Sequence, residues 1–246
     1  MKNLKLTFSL LAMTAIIWSC GTNSKTVETS EAKEVNEVTE STSISVNPDN
    51  SVVTWIGSKP AGKHNGTIAI AGGEVLVNNG AVVGGSFDID INSLVVLDLP
   101  ADSEWNAKLR GHLMSADFFD SENFSVANFE ITGAAPYAQA ELEADQEEFA
   151  TEFTPASLSE IMVENPTHFI SGNLTLRGVT KNITFPAAVS LDNGTVKAKA
   201  NFNINRIDWN LKYQDESSVA DKAKDKFIYN TVNVGFELEA GTDTAM

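Results

Sequence analysis

The sequence predicts an all-β protein made of antiparallel strands, arranged as a sandwich or a barrel. Two observations carry this. Apolar and polar residues alternate with a period of two in about eight segments, the pattern of strands with one wet and one apolar face. The segments also lie close together, separated by turn residues such as Asn78-Asn79-Gly80. That spacing leaves no room for the crossover helices of a parallel sheet.

Each element can be justified in order. "SVVTWIGS" (51–58) reads as a first strand. "GTIAIAGGEVLVNNGAVVGGSFDIDINSL" (66–94) reads as two or three strands, with Gly72-Gly73 and Gly84-Gly85 as barrel bends or bulges. In it Phe87, Ile89 and Ile91 oppose Asp88, Asp90 and Asn92. "FSVANFEIT" (124–132) follows, carrying Phe129 and Ile131. "SGNLTLRGVTKNITFPAAVSL" (171–191) reads as a hairpin. With Gly178 to Lys181 as its loop, Leu176 faces Ile183 and Leu174 faces Phe185 on one shared face. "TVKAKANFNINRIDW" (195–209) and "FIYNTVNVGFELEA" (227–240) complete the set. Phe202, Ile204, Val234 and Phe236 fall on their apolar sides; Thr175 and Asn203 fall on wet ones.

Two stretches break the alternation. "PADSEWNAKLRGHLMSADFFD" (100–120) favours a helix capped by Asp102 or Ser103. Residues 134–167 carry eight acidic residues and neither Lys nor Arg. They read as a solvated acidic insertion between two strands, with a lid over a barrel mouth as the alternative.

The N-terminus follows another plan. Two lysines precede an apolar run from Leu6 to Trp18, and "IWSC" ends at Cys20. This is the layout of a secretory signal. "IWSC" resembles the bacterial lipobox, so residues 1–19 read as a lipoprotein signal peptide and Cys20 as the lipidated mature N-terminus. Residues 20–45 have no aromatic residue, and Glu28, Glu31, Glu34, Glu37 and Glu40 recur at every third position. They read as an acidic flexible tether. The folded domain is expected over 46–240, with a short tail at 241–246.

Composition excludes some functions. The net charge is −16 with a pI near 4.5, the opposite of a nucleic-acid binder. The single cysteine rules out an internal disulfide and a cysteine metal cluster. His64, His112 and His168 stand in no metalloprotease or nucleophile-elbow context, and each reads as a satisfied polar residue. Arg206 and Asp208 read as a fixing ion pair, with contact to a ligand head group as the alternative. Trp55, Trp105 and Trp209 read as core aromatics. No catalytic residue and no metal site is assigned.

"FISGNLTLRGVTKNITFP" (169–186) resembles the signature hairpin of the YceI-like family of bacterial polyisoprenoid-binding proteins, through Gly172, Leu174, Thr175, Leu176, Gly178, Val179, Thr180 and Lys181. "HLMSADFFD" (112–120), "INSL" (91–94) and "INRIDW" (204–209) resemble three further elements of that family, in the same order. The resemblance implies an eight-stranded antiparallel, lipocalin-like barrel with an elongated apolar lumen. It implies a non-covalent isoprenoid-type lipid, polyprenyl or quinone-like, or another long-chain amphiphile, as ligand, with no other cofactor and no enzymatic activity. The expected lumen wall is Phe87, Ile89, Phe129, Ile131, Leu174, Leu176, Ile183, Phe185, Phe202, Ile204, Val234 and Phe236. The expected setting is the bacterial cell envelope, with the membrane held through lipidated Cys20. The competing expectation is a structural or interaction lipoprotein whose barrel is filled by its own side chains.

Overall fold

The computed structural model describes residues 26–35, 38, 40–138, 150–216 and 227–241. Its strands are β1 (Ser30–Glu31), β2 (Thr42–Ser45), β3 (Val52–Lys59), β4 (Gly62–Asn78), β5 (Ala81–Asp90), β6 (Val95–Val96), β7 (Val126–Pro136), β8 (His168–Leu176), β9 (Val179–Asp192), β10 (Thr195–Asn205) and β11 (Thr231–Ala240). The helices are α1 (Glu104–Met114) and α2 (Leu158–Ile161). Eight strands close a ring in the order β3-β4-β5-β7-β8-β9-β10-β11, and β11 returns to β3. Every pairing is antiparallel. The fold is thus the antiparallel eight-stranded barrel of the sequence reading, with short helices.

The alternating faces land as expected, but one register differs. The β8–β9 hairpin turns at Arg177 and Gly178, both with positive φ (49° and 72°). A two-residue turn of that kind matches the twist of the flanking strands. Leu176 therefore faces Val179, Gly172 faces Ile183 and Ile170 faces Phe185. The slip from the expected pairing is four residues, an even number, so Leu174, Leu176, Ile183 and Phe185 keep their shared inward face. Gly172 is required where it stands. A Cβ there would come within 2.1 Å of the Phe129 ring, which fills the space that a side chain would occupy.

Part of the expected tether lies on the barrel instead. β9 and β10 pair over five positions only, from Asp192↔Thr195 to Ala188↔Lys199. Beyond them the strands part, and the N-terminal arm enters the opening. The Val27 amide donates to the Asn203 carbonyl at 2.7 Å. Ser30 and Glu31 pair with Asn182 and Lys181, and Thr29 Oγ1 donates to Asp208 at 3.0 Å. Val27 is buried in the core. Further along, the Lys33 amide donates to Asn173 Oδ1 and Asn173 Nδ2 donates back to the Lys33 carbonyl. β2 then joins β4. The physical reason is that two open strand edges carry backbone groups in need of partners, and the arm supplies them.

The acidic insertion is also corrected in part. Residues 139–149 lie outside the described set, but 150–163 pack on the barrel wall rather than standing free in solvent. Asn203 and Asn233 point outward from β10 and β11, yet they are 0% and 7% exposed. Both donate to the Ala156 carbonyl, at 2.9 and 3.2 Å. Tyr229 Oη lies within hydrogen-bond reach of Thr151 and Thr154. Asn203 is consequently not a wet position.

If the arm closes the seam, Val27→Asp should destabilise the fold by about 2–4 kcal/mol, the scale of an unpaired polar group forced into a core. Urea unfolding checks this, and a loss below about 0.5 kcal/mol, the size of an ordinary surface change, would show that the arm contributes nothing to closure.

Candidate ligand-binding site

The barrel interior is divided. Its central and far part is filled by five phenylalanines from five strands. The Phe185 ring on β9 stacks on Phe202 of β10 at 4.2 Å and 5°, and meets Phe236 of β11 edge-on at 5.6 Å. Phe129 of β7 lies 5.6 Å from Phe185, and Phe87 of β5 lies 5.4 Å from Phe129 and 6.0 Å from Phe236. These tilted and offset contacts suit the ring quadrupoles. The space left beside Phe87, Phe129 and Phe236 is about 30 Å³, the share of one water in the liquid.

At the other end a cavity of about 300 Å³ remains. Its strand-borne lining comes from Leu176, Ile204, Val232, Trp55 and Gly57, where β8, β10, β11 and β3 reach the barrel mouth. Leu109 and Leu113 of α1, with Phe118 and Phe119 after it, add a further wall, and Leu211, Tyr213 and Ile228 add another. Ser103 caps α1 by accepting from the Asn106 amide at 3.1 Å. Asn106 Nδ2 then donates to the Val96 and Leu99 carbonyls, and Arg110 to the Leu94 and Asn92 carbonyls. These bonds fasten the helix to the segment that carries β6. Arg177 holds the opposite rim, donating to the Asn210 and Ala116 carbonyls at 2.8 and 2.6 Å.

The polar groups at the mouth are largely committed to structure. Arg206 is 3% exposed. It donates to the Tyr229 carbonyl at 3.1 Å, to the Ile228 carbonyl at 3.0 Å and to the Leu211 carbonyl. Burial pushes its pKa down to about 10, against the opposing pull of Asp215 and Glu216. The expected Arg206–Asp208 pair is therefore replaced: Arg206 anchors three carbonyls, while Asp208 accepts from Thr29. His112 lies edge-on to Tyr213 and Phe118, at 4.7 and 5.1 Å, and meets Asp117 Oδ2 at 3.1 Å. It links helix to barrel. His64 Nδ1 meets Asp98 Oδ2 at 2.7 Å, and the Asn65 amide donates to Asp98 Oδ1. Burial alone would raise the Asp98 carboxyl, but the Asn65 amide and His64 outweigh it and hold it below its ordinary range. Trp55 Nε1 is buried with no hydrogen-bond partner among the described residues. No group of three or more metal-ligating side chains occurs among the described residues.

All twelve residues expected on the lumen wall belong to the core or pack against it; Leu174 and Val234 are half-buried and the other ten are buried. Only Leu176 and Ile204 of the twelve line the mouth cavity. The expected elongated lumen is shortened because Phe87, Phe129, Phe185, Phe202 and Phe236 fill it. The rest of the cavity lining was absent from the expected wall, and about half of the lining comes from α1 and the loops, where no strand alternation marks it. The available signal was the four-residue spacing of Leu109 and Leu113 on one helix face. Trp105 also departs from expectation: it is 71% exposed rather than core.

The model of the YceI-like domain matches residues 44–240. Among solved structures, the chain is similar to BcnA of Burkholderia cenocepacia at 16% identity and a TM-score of 0.54, covering 79% of this chain and 99% of that one. It is also similar to a polyisoprenoid-binding domain from Saccharophagus degradans implicated in plant cell wall breakdown, at 16% identity and a TM-score of 0.49, covering 80% and 97%. No curated protein sequence matches the chain.

If the phenylalanine stack is packed as a solid floor, Phe185→Ala should cost about 3–5 kcal/mol in urea unfolding, the range for truncating a buried ring. A cost below about 1 kcal/mol would mean that the floor is loose enough to yield to a ligand.

Proposed function

The chain belongs to the YceI-like family, and from that premise we propose that it is an envelope lipoprotein that binds an isoprenoid-type amphiphile by its apolar end at the barrel mouth. The observation that carries the reading is the apolar cavity of about 300 Å³ above the phenylalanine floor. By share of liquid volume that is room for about ten water-sized groups, or about two isoprene units. Withdrawing ten carbons from water gives about 8 kcal/mol gross, which exceeds the lower range of association costs, about 4 kcal/mol. These ten carbons alone therefore give an affinity in the millimolar range or weaker. The longer part of a polyprenyl chain stays outside the cavity. No covalent step is proposed, because the ligand is held by contact alone.

Cys20 lies outside the described residues. Acylation there is proposed on the signal plan of residues 1–19 and the "IWSC" context. Thr26 lies six positions after Cys20, a reach of about 20 Å when extended. The docked arm therefore makes the body sit close to its anchor.

The filled lower barrel favours a second reading, a structural lipoprotein with no ligand. Organic extraction of the purified protein, followed by mass spectrometry, separates the two. Under the binding reading an isoprenoid-type compound is recovered from the native chain and lost from Leu176→Lys and Ile204→Lys variants that remain folded. Recovery of nothing from a natively purified chain that also fails to take up added farnesol supports the structural reading. For the anchor, Cys20→Ala should move the protein out of the salt-washed membrane fraction; retention there would overturn acylation as the anchor.

A further inference from the structure

We infer that the mouth end of the barrel docks on a lipid bilayer, with Trp105 and Leu97 entering its interface. Among the described residues Trp105 and Leu97 are the two most exposed large apolar side chains, at 71% and 60%; Val126 follows at 51% and Val95 at 45%. Buried Asn106 binds the backbone on both sides of Leu97, through the Val96 and Leu99 carbonyls. That places the first turn of α1, with Trp105, against the segment bearing Val95 and Leu97. Contiguous exposed apolar surface of this kind marks a contact site. Tryptophan is the side chain that a membrane interface favours, since its ring is apolar and its N–H stays wet.

Three observations select a bilayer as the occupant. First, the apolar surface is continuous with the cavity. Trp105, Leu109 and Leu113 lie four residues apart along one side of α1. The last two line the cavity, so an apolar strip runs from the exposed ring into the site. Second, the arm that follows the proposed anchor, Cys20, joins the body at this same end. Thr29 is bonded to Asp208, within the Arg206–Trp209 turn beside the mouth. Third, two lysines stand at this end in a chain of net charge −16: Lys59 lines the cavity and Lys108 follows Trp105 on α1. Lys108 lies 5.0 Å over the Trp105 ring, and its alkyl stem adds apolar cover while its ammonium pairs with Glu104. The nearby acids are partly committed, Asp98 to His64 and Glu104 to Lys108. Insertion of apolar side chains rather than net charge holds the contact. The purpose of docking rests on the proposed ligand reading: the isoprenoid end would enter the cavity while the rest of its chain remains in the bilayer. The contact itself does not depend on that reading.

The test uses the mature chain from Cys20, without the apolar leader, mixed with phosphatidylcholine–phosphatidylglycerol vesicles whose acyl chains carry bromine. Bromine should quench a substantial part of the tryptophan emission, and adding Trp105→Phe should abolish most of that quenching. Equal quenching with and without Trp105, or no association with vesicles, would overturn the inference. So would a Trp105-dependent dimer in sedimentation without lipid quenching, which would assign the face to a second copy. In parallel, transfer of a fluorescent prenyl alcohol from vesicles to the protein should slow about tenfold in the Leu97→Ser/Trp105→Ser chain, with equilibrium uptake from solution unchanged. Leu191→Ser, at the far end of the barrel, should leave both readings unaltered. Quenching without any uptake would keep the docking face and remove the ligand reading; uptake without quenching would do the reverse.

Discussion

The packing of Phe185 against Phe129, Phe202 and Phe236 is the constraint on which the rest of the structure depends. An eight-stranded barrel has an interior just wide enough to be filled by side chains or to hold one slender ligand. Here one part of the barrel is filled and the other is left open. The rings fill the central and far part to the density of a solid core, which fixes the strands around them. What remains open is the mouth, and there the strands no longer supply enough wall. α1, the Phe118-Phe119 segment and the Leu211–Tyr213 loop make up the difference. The size of the site is therefore set by the floor, and its access by the loops.

The same ring of strands is incomplete on one side. β9 and β10 separate after five pairs, and the N-terminal arm completes the opening with backbone bonds and one buried valine. A second external segment covers β10 and β11 through Ala156. In both places the barrel presents outward asparagines, Asn173 to the arm, with Asn182 behind it donating to Asn173 Oδ1, and Asn203 and Asn233 to the insertion. Asparagine suits this task because its amide both donates and accepts, matching a backbone peptide that lies across it. Asn173 does both with Lys33. The arm joins the barrel at the end that holds the cavity.

Strand faces were legible in the sequence because alternation is local. Leu174, Leu176, Ile183 and Phe185 were placed on the right side even though their hairpin register was displaced, since an even slip preserves the face. The turn itself was misplaced because Arg177, not a residue that favours positive φ, shares it with Gly178. Burial of outward positions was not legible. Asn203 looks polar and wet by period, and only the tertiary arrangement brings Ala156 over it. The arm between Thr26 and Ser45 resembles a solvated tether by composition, yet it binds through backbone groups, which composition does not encode. Trp105 was misjudged for a related reason: aromatic residues are core by default, and its exposure follows from the cap and pairing of α1. The division of the lumen was written in the five phenylalanines, but their meeting at one level needed the registers of five strands.

The central claim is that the ligand site ends at the phenylalanine floor. Affinity for a series of prenyl alcohols of increasing length, measured by calorimetry, tests it most directly. Binding should strengthen with each isoprene unit up to about two, the number that fills a cavity of about 300 Å³, and then level off. Affinity that keeps rising through chains several times longer would contradict the account, because it would require the stack of Phe185 on Phe202 to open and the whole barrel to serve as the channel.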